Sequence, residues 1–299
     1  MMSAILDPGR VRIRPLGTAI GADVEGVDLA RLDDASFAAI ERAWEEHLVL
    51  RFRGQTLTDI DLMNFSRRIG TLDRIPIRAA GVEMTEDPRL AIAPEAAAYV
   101  AVISNVKLNG KAIGGLGNYE SHWHTDMSYN DIPPMASALY AIAVPPTGGN
   151  TSFANMYAAF ETLEEATRNR IAGLSCIHDA SRNSVGELRR GFADIADPTQ
   201  TVGARHPIVR THPVTGRKCL FLGRRRNACI PEQSLQDSEA LLDHLWAHAT
   251  EPRFCWTQVW QAGDLVLWDN RCTLHRRDEF DDRYQRIMHR TQMCGDRPY

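Results

Sequence analysis

The sequence predicts a mainly β fold, a β-sandwich or jelly roll with helices packed on its outside. From Ser137 onward, short apolar runs alternate with turn-rich pieces, and this alternation is typical of successive strands. The predicted strands in this part are Ser137–Val144, Lys218–Leu222, Asp264–Trp268 and Arg286–Met293. Turn-forming residues follow two of them, in Pro145–Gly149 and in Asp269–Asn270.

The N-terminal part of the chain predicts a strand, a helix and a second strand. Val11–Arg14 alternates like a strand, and Asp33–Asp34 supplies a cap for a helix that runs to about Glu46. The apolar face of this helix includes Phe37, Ile40 and Trp44. Leu48–Phe52 follows as a strand that ends at Gly54.

Two further helices are predicted after the middle of the chain. One runs from Met156 to about Leu174, and the other runs from Ser234 to Ala249. In the second, apolar residues recur at helical spacing, at Leu241, Leu242, Leu245 and Trp246. No internal repeat, low-complexity tract or long linker interrupts the chain, so we expect one domain over residues 1–299.

Composition narrows the class of protein. With 44% hydrophobic and 24% charged residues, the 299-residue chain has the make-up of a globular protein with a large core. Its formal net charge of -4 gives no electrostatic drive toward nucleic acid or an anionic membrane. No run of 18 apolar residues occurs, and Met1–Arg14 lacks a basic segment followed by a long apolar run. We expect a cytoplasmic protein that binds neither nucleic acid nor membrane.

The cysteines and the assembly state complete this general description. Six cysteines are scattered without a C-x-x-C pair in a chain that is large enough to need no disulfide. They are therefore expected to be reduced, packed thiols. The chain is also expected to form a homo-oligomer.

The segment Ser121–Asp126 carries the strongest chemical signal. If it ends in a strand, His124 and Asp126 lie on the same face, so an imidazole and a carboxylate can reach one cation. His275, 151 residues after His124, is the predicted third ligand. Two histidines and one carboxylate leave three positions of an octahedron open, which is the arrangement that iron(II) uses to activate oxygen.

Other interpretations of these histidines stay open. An H-x-D triplet by itself can be a chance pairing on a surface. His122 shares the predicted strand face with His124 and is a rival ligand. His244 and His248 are four apart on a predicted helix, but Leu245 stands where a zinc peptidase helix carries its catalytic Glu. That pair is interpreted as helix surface.

Five motifs in order and spacing resemble the family of taurine dioxygenase and 2,4-dichlorophenoxyacetate dioxygenase (TauD/TfdA). They are Trp123–Asp126, Val144–Thr151, Val209–Pro213, Trp268–Arg271 with His275, and Arg286–Arg290. The resemblance covers most of the chain and implies a distorted double-stranded β-helix, the cupin-like form of the jelly roll. It implies Fe(II), 2-oxoglutarate as co-substrate and O2, with iron held by His124, Asp126 and His275. Thr151 and Arg286 match the positions that hold the distal carboxylate of 2-oxoglutarate.

The spacing of the C-terminal arginines agrees with this resemblance. In a strand over residues 286–292, Arg286, Met288 and Arg290 share one face. Two buried guanidinium groups need anionic partners, and one partner is expected to be the co-substrate. A solvated strand face is the alternative for isolated arginines. Asp126 favours oxygen transfer, because related halogenases have a small residue in its place.

The substrate is predicted less directly. Arg290 matches the family position where a second arginine faces the sulfonate or carboxylate of the substrate. A gapless alignment from Gly70 places Ile75 where the taurine enzyme offers a histidine, which makes taurine itself doubtful. Glu120 stands where that enzyme uses an amide, and it could meet an amine or hydroxyl or lie in a solvated loop. Arg224–Arg226 could lie at the pocket mouth or form a surface patch.

The function predicted from these residues is oxidation of a small anionic substrate, a carboxylate or sulfonate. The product would be hydroxylated, or cleaved after hydroxylation, with release of succinate and CO2. A redox-free cupin-like metal protein or isomerase is one alternative, and a non-enzymatic binding module is another. Neither alternative would need the carboxylate clamp of Thr151 and Arg286.

Overall fold

The computed structural model describes residues 11–17, 19–75, 87–119 and 121–299. Its strands are β1 (Arg12–Pro15), β2 (Ala22–Glu25), β3 (Val49–Phe52), β4 (Ala101–Ser104), β5 (Lys107–Leu108), β6 (Lys111–Ala112), β7 (Gly115–Leu116), β8 (Ser121–His124), β9 (Ala136–Ala143), β10 (Thr151–Asn155), β11 (Ser175–Ile177), β12 (Arg205–Pro207), β13 (Val209–Thr211), β14 (Lys218–Leu220), β15 (Cys255–Gln258), β16 (Leu265–Asp269), β17 (Thr273–Arg277) and β18 (Ile287–Met293). The helices are α1 (Asp34–His47), α2 (Asp59–Ile69), α3 (Met156–Glu161), α4 (Glu165–Ile171) and α5 (Leu235–Ala249). None of these helices is both long and apolar enough to cross a membrane.

Two sheets form the body of the fold. The larger has eight strands in the order β1-β2-β3-β16-β9-β18-β4-β7, and the smaller has the order β15-β10-β17-β8. The sheets face each other, because Phe153 of β10 lies 5.6 Å from Trp268 of β16 between ring centroids. Neighbouring strands come from distant parts of the chain, as in a double-stranded β-helix. The predicted fold class is confirmed.

The central strand β16 shows why helices cover the outside of the larger sheet. All five of its residues are buried. Val266 and Trp268 belong to the core between the sheets, whereas Leu265 and Leu267 pack in a second core that includes residues of α1 and α2. Because successive side chains alternate between faces, a strand that is buried throughout needs cover on both sides.

Most predicted elements are confirmed. The side chain of Asp33 caps α1 by accepting from the Ser36 N–H, and Ser234 caps α5 in the same way. The single helix predicted from Met156 is wrong, because the chain forms α3 and α4 instead. The side chain of Thr162 bonds back to the Ala158 carbonyl at the end of α3, and Leu163 turns into the core.

Helix α2 was not predicted, although a capping box marks its start. The Thr58 side chain accepts from the Asp61 N–H, and the Asp61 carboxylate accepts from the Thr58 N–H. The helix lies on the outer face of β18. Ser66 shares a hydrogen bond of 2.6 Å with Thr291, and His289 Nδ1 donates to Asp59 Oδ1 at 2.6 Å. These contacts hold the strand that carries Arg290.

We expect Asp59→Ala to lower the free energy of unfolding by about 2–3 kcal/mol, because it leaves the buried His289 ring without a partner for Nδ1. Urea unfolding followed by circular dichroism measures the change. Asn64→Ala, on the exposed face of the same helix, is the control and should change stability by no more than about 0.5 kcal/mol. Equal losses in the two variants would contradict the anchoring role of Asp59.

Candidate active site

A cavity of about 670 Å3 lies between the two sheets. The predicted site residues that the structure describes all line it, namely His124, Asp126, His275, Thr151, Arg286, Arg290 and Ile75. Glu120 lies outside the described residues. Residues that are 200 positions apart in sequence thus meet in one place, as the resemblance implies.

His124, Asp126 and His275 form a compact buried group. His124 ends β8 and pairs directly with His275 of β17, with ring centroids 4.1 Å apart. Asp126 Oδ1 lies 3.6 Å from Nε2 of each histidine. Asp126 follows the strand in a turn, where the Thr125 N–H donates to the Gly223 carbonyl at 2.9 Å. The turn, and not strand alternation, brings the carboxylate to the histidines.

A register shift decides which histidine of β8 enters the group. Ser121 pairs with Arg277 and His124 pairs with His275, so β8 has one more residue than β17 between these pairs. Such a bulge reverses the side-chain alternation. His122 is exposed and His124 is buried. The expectation that they share a face is therefore wrong, and His122 is no rival ligand.

The three side chains fit a divalent cation. Ligand atoms 3.6 Å apart can both bind one ion at about 2.1 Å, because that distance allows separations up to about 4.2 Å. His124 Nδ1 donates to the His122 carbonyl at 2.7 Å, which leaves Nε2 with a free lone pair. Burial and the neighbouring His124 lower the pKa of His275 to about 3, so its ring is neutral. Two imidazoles and a carboxylate are the donors that the prediction requires.

A buried network fixes the carboxylate of Asp126. Its Oδ2 accepts from Ser137 Oγ at 2.8 Å and from Gln292 Nε2 at 3.2 Å. Ser137 accepts in turn from Asn270 Nδ2 at 3.0 Å. Burial raises the pKa of Asp126, but the charge of Arg290, together with the contacts to His275 and His124, holds that pKa well below its usual value. The carboxylate thus stays charged with Oδ1 directed to the histidines.

Sequence reasoning missed Ser137 and Gln292. Gln292 could have been found, because it lies two residues after Arg290 and so shares its strand face. Ser137 offers no such signal, since a serine in an apolar strand resembles any other small buried residue. Its role depends on the pairing of β9 with β16 and β18.

The other end of the cavity carries a buried guanidinium. Arg286 is 2% exposed and lies over the ring of Trp260, at 5.8 Å from its centroid. No hydrogen bond or carboxylate among the described residues satisfies its side chain. Burial and the neighbouring Arg277 lower the pKa of Arg286 well below its usual value. Such a group fits a carboxylate ligand, because a buried cation needs an anion.

Thr151 completes this end of the cavity. Its Oγ1 accepts a hydrogen bond of 3.0 Å from Trp260 Nε1. Because the indole can only donate, the hydroxyl proton of Thr151 remains available to a ligand. Arg286 and Thr151 therefore offer a guanidinium and a hydroxyl donor to the same region, and both line the cavity.

Arg290 and Ile75 contribute to the remaining wall. Arg290 Nη1 lies 3.5 Å from Asp126 Oδ1, and its side chain is 20% exposed. Ile75 is partly buried and belongs to an apolar part of the wall with Ile92 and Ile103. A ligand that has an anionic group next to an apolar body would suit this region.

The basic run Arg224–Arg226 separates into three environments. Arg224 is buried and lines the cavity. Arg225 pairs with Glu239 and Asp243 at 2.7 Å near the surface. Arg226 is exposed. One of the three thus belongs to the site, and the surface-patch interpretation applies to the others.

A second buried cluster consists of His212, Asp269 and Cys272. Protein groups already form the hydrogen bonds of its imidazole and its carboxylate. His212 Nδ1 accepts from backbone N–H groups, and its Nε2 donates to Asp269 at 3.1 Å. Asp269 also receives both donors of the Arg271 fork. Of the helix pair interpreted as surface, His244 is exposed as expected, whereas His248 is largely packed and bonds the Ala159 carbonyl at 2.8 Å.

Two facing sheets that enclose two histidines and a carboxylate define a double-stranded β-helix oxygenase with a 2-His-1-carboxylate centre. The family model for "Taurine catabolism dioxygenase TauD, TfdA family" matches residues 12–292. The chain therefore belongs to the TauD/TfdA family. It is a non-haem iron dioxygenase that uses Fe(II), 2-oxoglutarate (alpha-ketoglutarate) and O2.

Three relatives illustrate the similarity. The chain is 34% identical to the (S)-phenoxypropionate/alpha-ketoglutarate-dioxygenase of Delftia acidovorans, over 95% of both chains. It is 33% identical to the alpha-ketoglutarate-dependent 2,4-dichlorophenoxyacetate dioxygenase of Cupriavidus pinatubonensis, over 94% of this chain and 97% of that one. The crystal structure of AAD-2 in complex with Mn(II) and N-oxalylglycine has a TM-score of 0.74 and 32% identity, over 97% of this chain and 99% of that one.

Proposed function

We propose that one dioxygenase domain over residues 1–299 holds iron through His124, Asp126 and His275. The compact buried group of these three side chains carries the assignment. Arg286 and Thr151 would bind the 5-carboxylate of 2-oxoglutarate, since the planar fork of a guanidinium matches a carboxylate. When bound, iron with 2-oxoglutarate and O2 supplies the oxidation and leaves succinate and CO2. The buried unpaired Arg286 favours this function over a redox-free cupin or a binding module.

The protein's own contribution is positioning. Ser137 and Gln292 hold one oxygen of Asp126, so the other oxygen keeps its direction toward the histidines. The apolar wall around Ile75 and Ile103 excludes water from the reacting end. Exclusion of water would limit side reactions while a C–H bond of the substrate is oxidised.

The substrate in this proposal is a small carboxylate or sulfonate with an apolar body, held at its anionic end by Arg290. Arg290 lies beside Asp126, so an anion bound there would be close to the metal. The Delftia and Cupriavidus relatives are named for aryloxy carboxylates, which have this combination of an anion and an apolar ring. The product would be hydroxylated, or cleaved after hydroxylation.

A panel of carboxylates and sulfonates, screened for substrate-dependent succinate release, tests the substrate class. With the best substrate, Arg290→Leu should raise the apparent KM roughly 10- to 100-fold, because a hydrogen bond to a charged group contributes about 1.5–3 kcal/mol. The 2-oxoglutarate midpoint should stay near that of the unmodified protein. Arg283→Leu is the control, because Arg283 is exposed and pairs only with its neighbour Asp281 among described residues. Efficient turnover of a neutral substrate, insensitive to Arg290→Leu, would rule out this class.

A cytoplasmic location and a homo-oligomeric state also belong to the proposal. Six unpaired cysteines, four of them buried, support a reducing compartment. Closed symmetric assemblies are the common form of soluble oligomers. Light scattering coupled to size exclusion measures the oligomeric state directly.

A further inference from the structure

The cavity carries more positive charge than the proposed function uses. Five arginines line it, namely Arg189, Arg224, Arg277, Arg286 and Arg290. Of the lining residues that the structure describes, Asp126 is the only carboxylate. The five guanidinium groups and iron(II) would carry seven positive charges. Asp126, 2-oxoglutarate and a monoanionic substrate would carry four negative charges, so three positive charges would remain without a partner. Buried charges of one sign are costly without partners, so some of this excess needs an anion.

Arg224 is the most informative of these arginines. It is 8% exposed, and its backbone forms a β-bridge with the metal-site residue His124. One donor is used, because Nη1 donates to the Arg182 carbonyl at 2.6 Å. Among the residues that the structure describes, its buried Nε has no partner. Burial and the charge of Arg189 lower the pKa of Arg224 to about 10. The side chain keeps unused donors at the cavity wall.

Arg189 lines the same cavity as Arg224, and its charge contributes to the lowered pKa of Arg224. Its guanidinium stacks on the ring of Tyr129 at 3.9 Å, and the described residues provide no acceptor for its side chain. Both Arg189 and Tyr129 line the cavity. Two guanidinium groups that line one cavity, each with donors that the described residues leave unused, can together bind an anion.

Arg290 and Arg224 are carried by different parts of the fold. Arg290 comes from β18 of the larger sheet and contacts Asp126. Arg224 follows β14 and lies beside β8, the edge strand of the smaller sheet. The predicted metal ligands Asp126 and His124 are thus each next to one of these two arginines. One small anion at Arg290 would leave the Arg224 side without a partner.

We propose that Arg224 and Arg189 form a second anion subsite, and that the substrate carries a second anionic group, such as a carboxylate, remote from the one at Arg290. This inference rests on the proposed function, because it takes Arg290 as the first anchor. A dianionic substrate offsets more of the excess charge than a monoanion and occupies donors that the described protein groups leave free.

Matched pairs of ligands test the second subsite. The pairs are phenoxyacetate with 4-carboxyphenoxyacetate and hexanoate with adipate, titrated into the anaerobic complex with iron(II) and 2-oxoglutarate. Changes in its metal-to-ligand absorption band report binding without turnover. We expect the dicarboxylate of at least one pair to bind tenfold or more tightly than its monoanion. Arg224→Gln should remove this preference and change the affinity of the monoanion by less than threefold.

Two further variants sharpen the comparison. Arg189→Gln alters a partly buried side chain and should reduce the preference while Arg224 stays in place. Arg226→Gln changes the exposed neighbour and should keep the preference intact. A circular dichroism melt of each variant establishes that it is folded before ligands are compared.

The possible failures are distinguishable. Equal binding of both members in each pair, or a preference that survives both Arg224→Gln and Arg189→Gln, overturns the second subsite alone. A folded Arg224→Gln protein that binds 2-oxoglutarate weakly also overturns it, because Arg224 would then hold the co-substrate. If no anion binds, or if monoanion binding is insensitive to Arg290→Leu, the proposed substrate class fails first and the subsite with it.

Discussion

Alanine in place of His124, Asp126 or His275 should abolish 2-oxoglutarate-dependent succinate release, with iron affinity falling in parallel. Each side chain offers one ligand atom to the same point, and all three atoms lie within 4.8 Å of one another. Two remaining ligands hold an iron(II) ion weakly, because the protein supplies only three of its positions. Anaerobic titration with iron(II), together with a succinate assay, measures both losses.

His122→Ala is the matched control for this experiment. It removes an imidazole from the same strand, but His122 is exposed and its side chain lies outside the group. We expect near-normal iron binding and turnover from this variant. Loss of iron by His122→Ala with retention by His275→Ala would show that the ligand assignment is wrong.

The second large effect concerns the co-substrate. Arg286→Ala should weaken 2-oxoglutarate binding by roughly two to three and a half orders of magnitude and leave iron binding nearly unchanged. Removing one partner of a buried charge pair costs about 3–5 kcal/mol, and each 1.4 kcal/mol is tenfold in affinity. The metal-to-ligand absorption band of the anaerobic iron complex gives the 2-oxoglutarate midpoint.

Arg283→Ala provides the comparison for Arg286→Ala. Arg283 lies three residues earlier and its side chain is 79% exposed, so its removal should not move the midpoint. Thr151→Val should shift the midpoint by a smaller amount, about fivefold, because a single hydroxyl hydrogen bond contributes about 1 kcal/mol. An unchanged midpoint in Arg286→Ala would disprove the clamp.

These tests probe three different parts of one cavity. In the proposed function the triad variants would affect the metal, the Arg286 variant the co-substrate, and the Arg290 variant the substrate. Asp126 links the first and the last, because its Oδ1 lies 3.5 Å from Arg290 and 3.6 Å from both histidines. A substrate anion at Arg290 would therefore compete with Asp126 for the guanidinium.

Much of what was predicted correctly about the cavity came from the alternation of side chains along a strand. The parity of residues 286–292 places Arg286 and Arg290 on one face, and both line the cavity. Local patterns sufficed here, because a side-chain period of two is a property of the strand itself. The helix caps at Asp33 and Ser234 were predictable for the same reason, since each capping bond joins residues three apart in the chain.

Alternation failed where the local rule was interrupted. The bulge in β8 exposes His122 and buries His124, and the Asp126 carboxylate reaches the group from a turn. Both features depend on pairing with β17 and on the Gly223 carbonyl, about 100 to 150 residues away in the sequence. The motif resemblance named the three side chains that the structure brings together, although strand alternation alone does not explain how they meet.

The sequence by itself determined the family, the mainly β fold and the residues that meet in the cavity, because these follow from motifs and from periodic patterns within single elements. Only the tertiary structure decided which other residues hold these site residues in place. Ser137 and Gln292 fix Asp126, and Arg224 turns inward whereas Arg225 and Arg226 stay near the surface. Each of these outcomes depends on contacts between distant strands, which set burial and partners but leave no periodic signal in the chain.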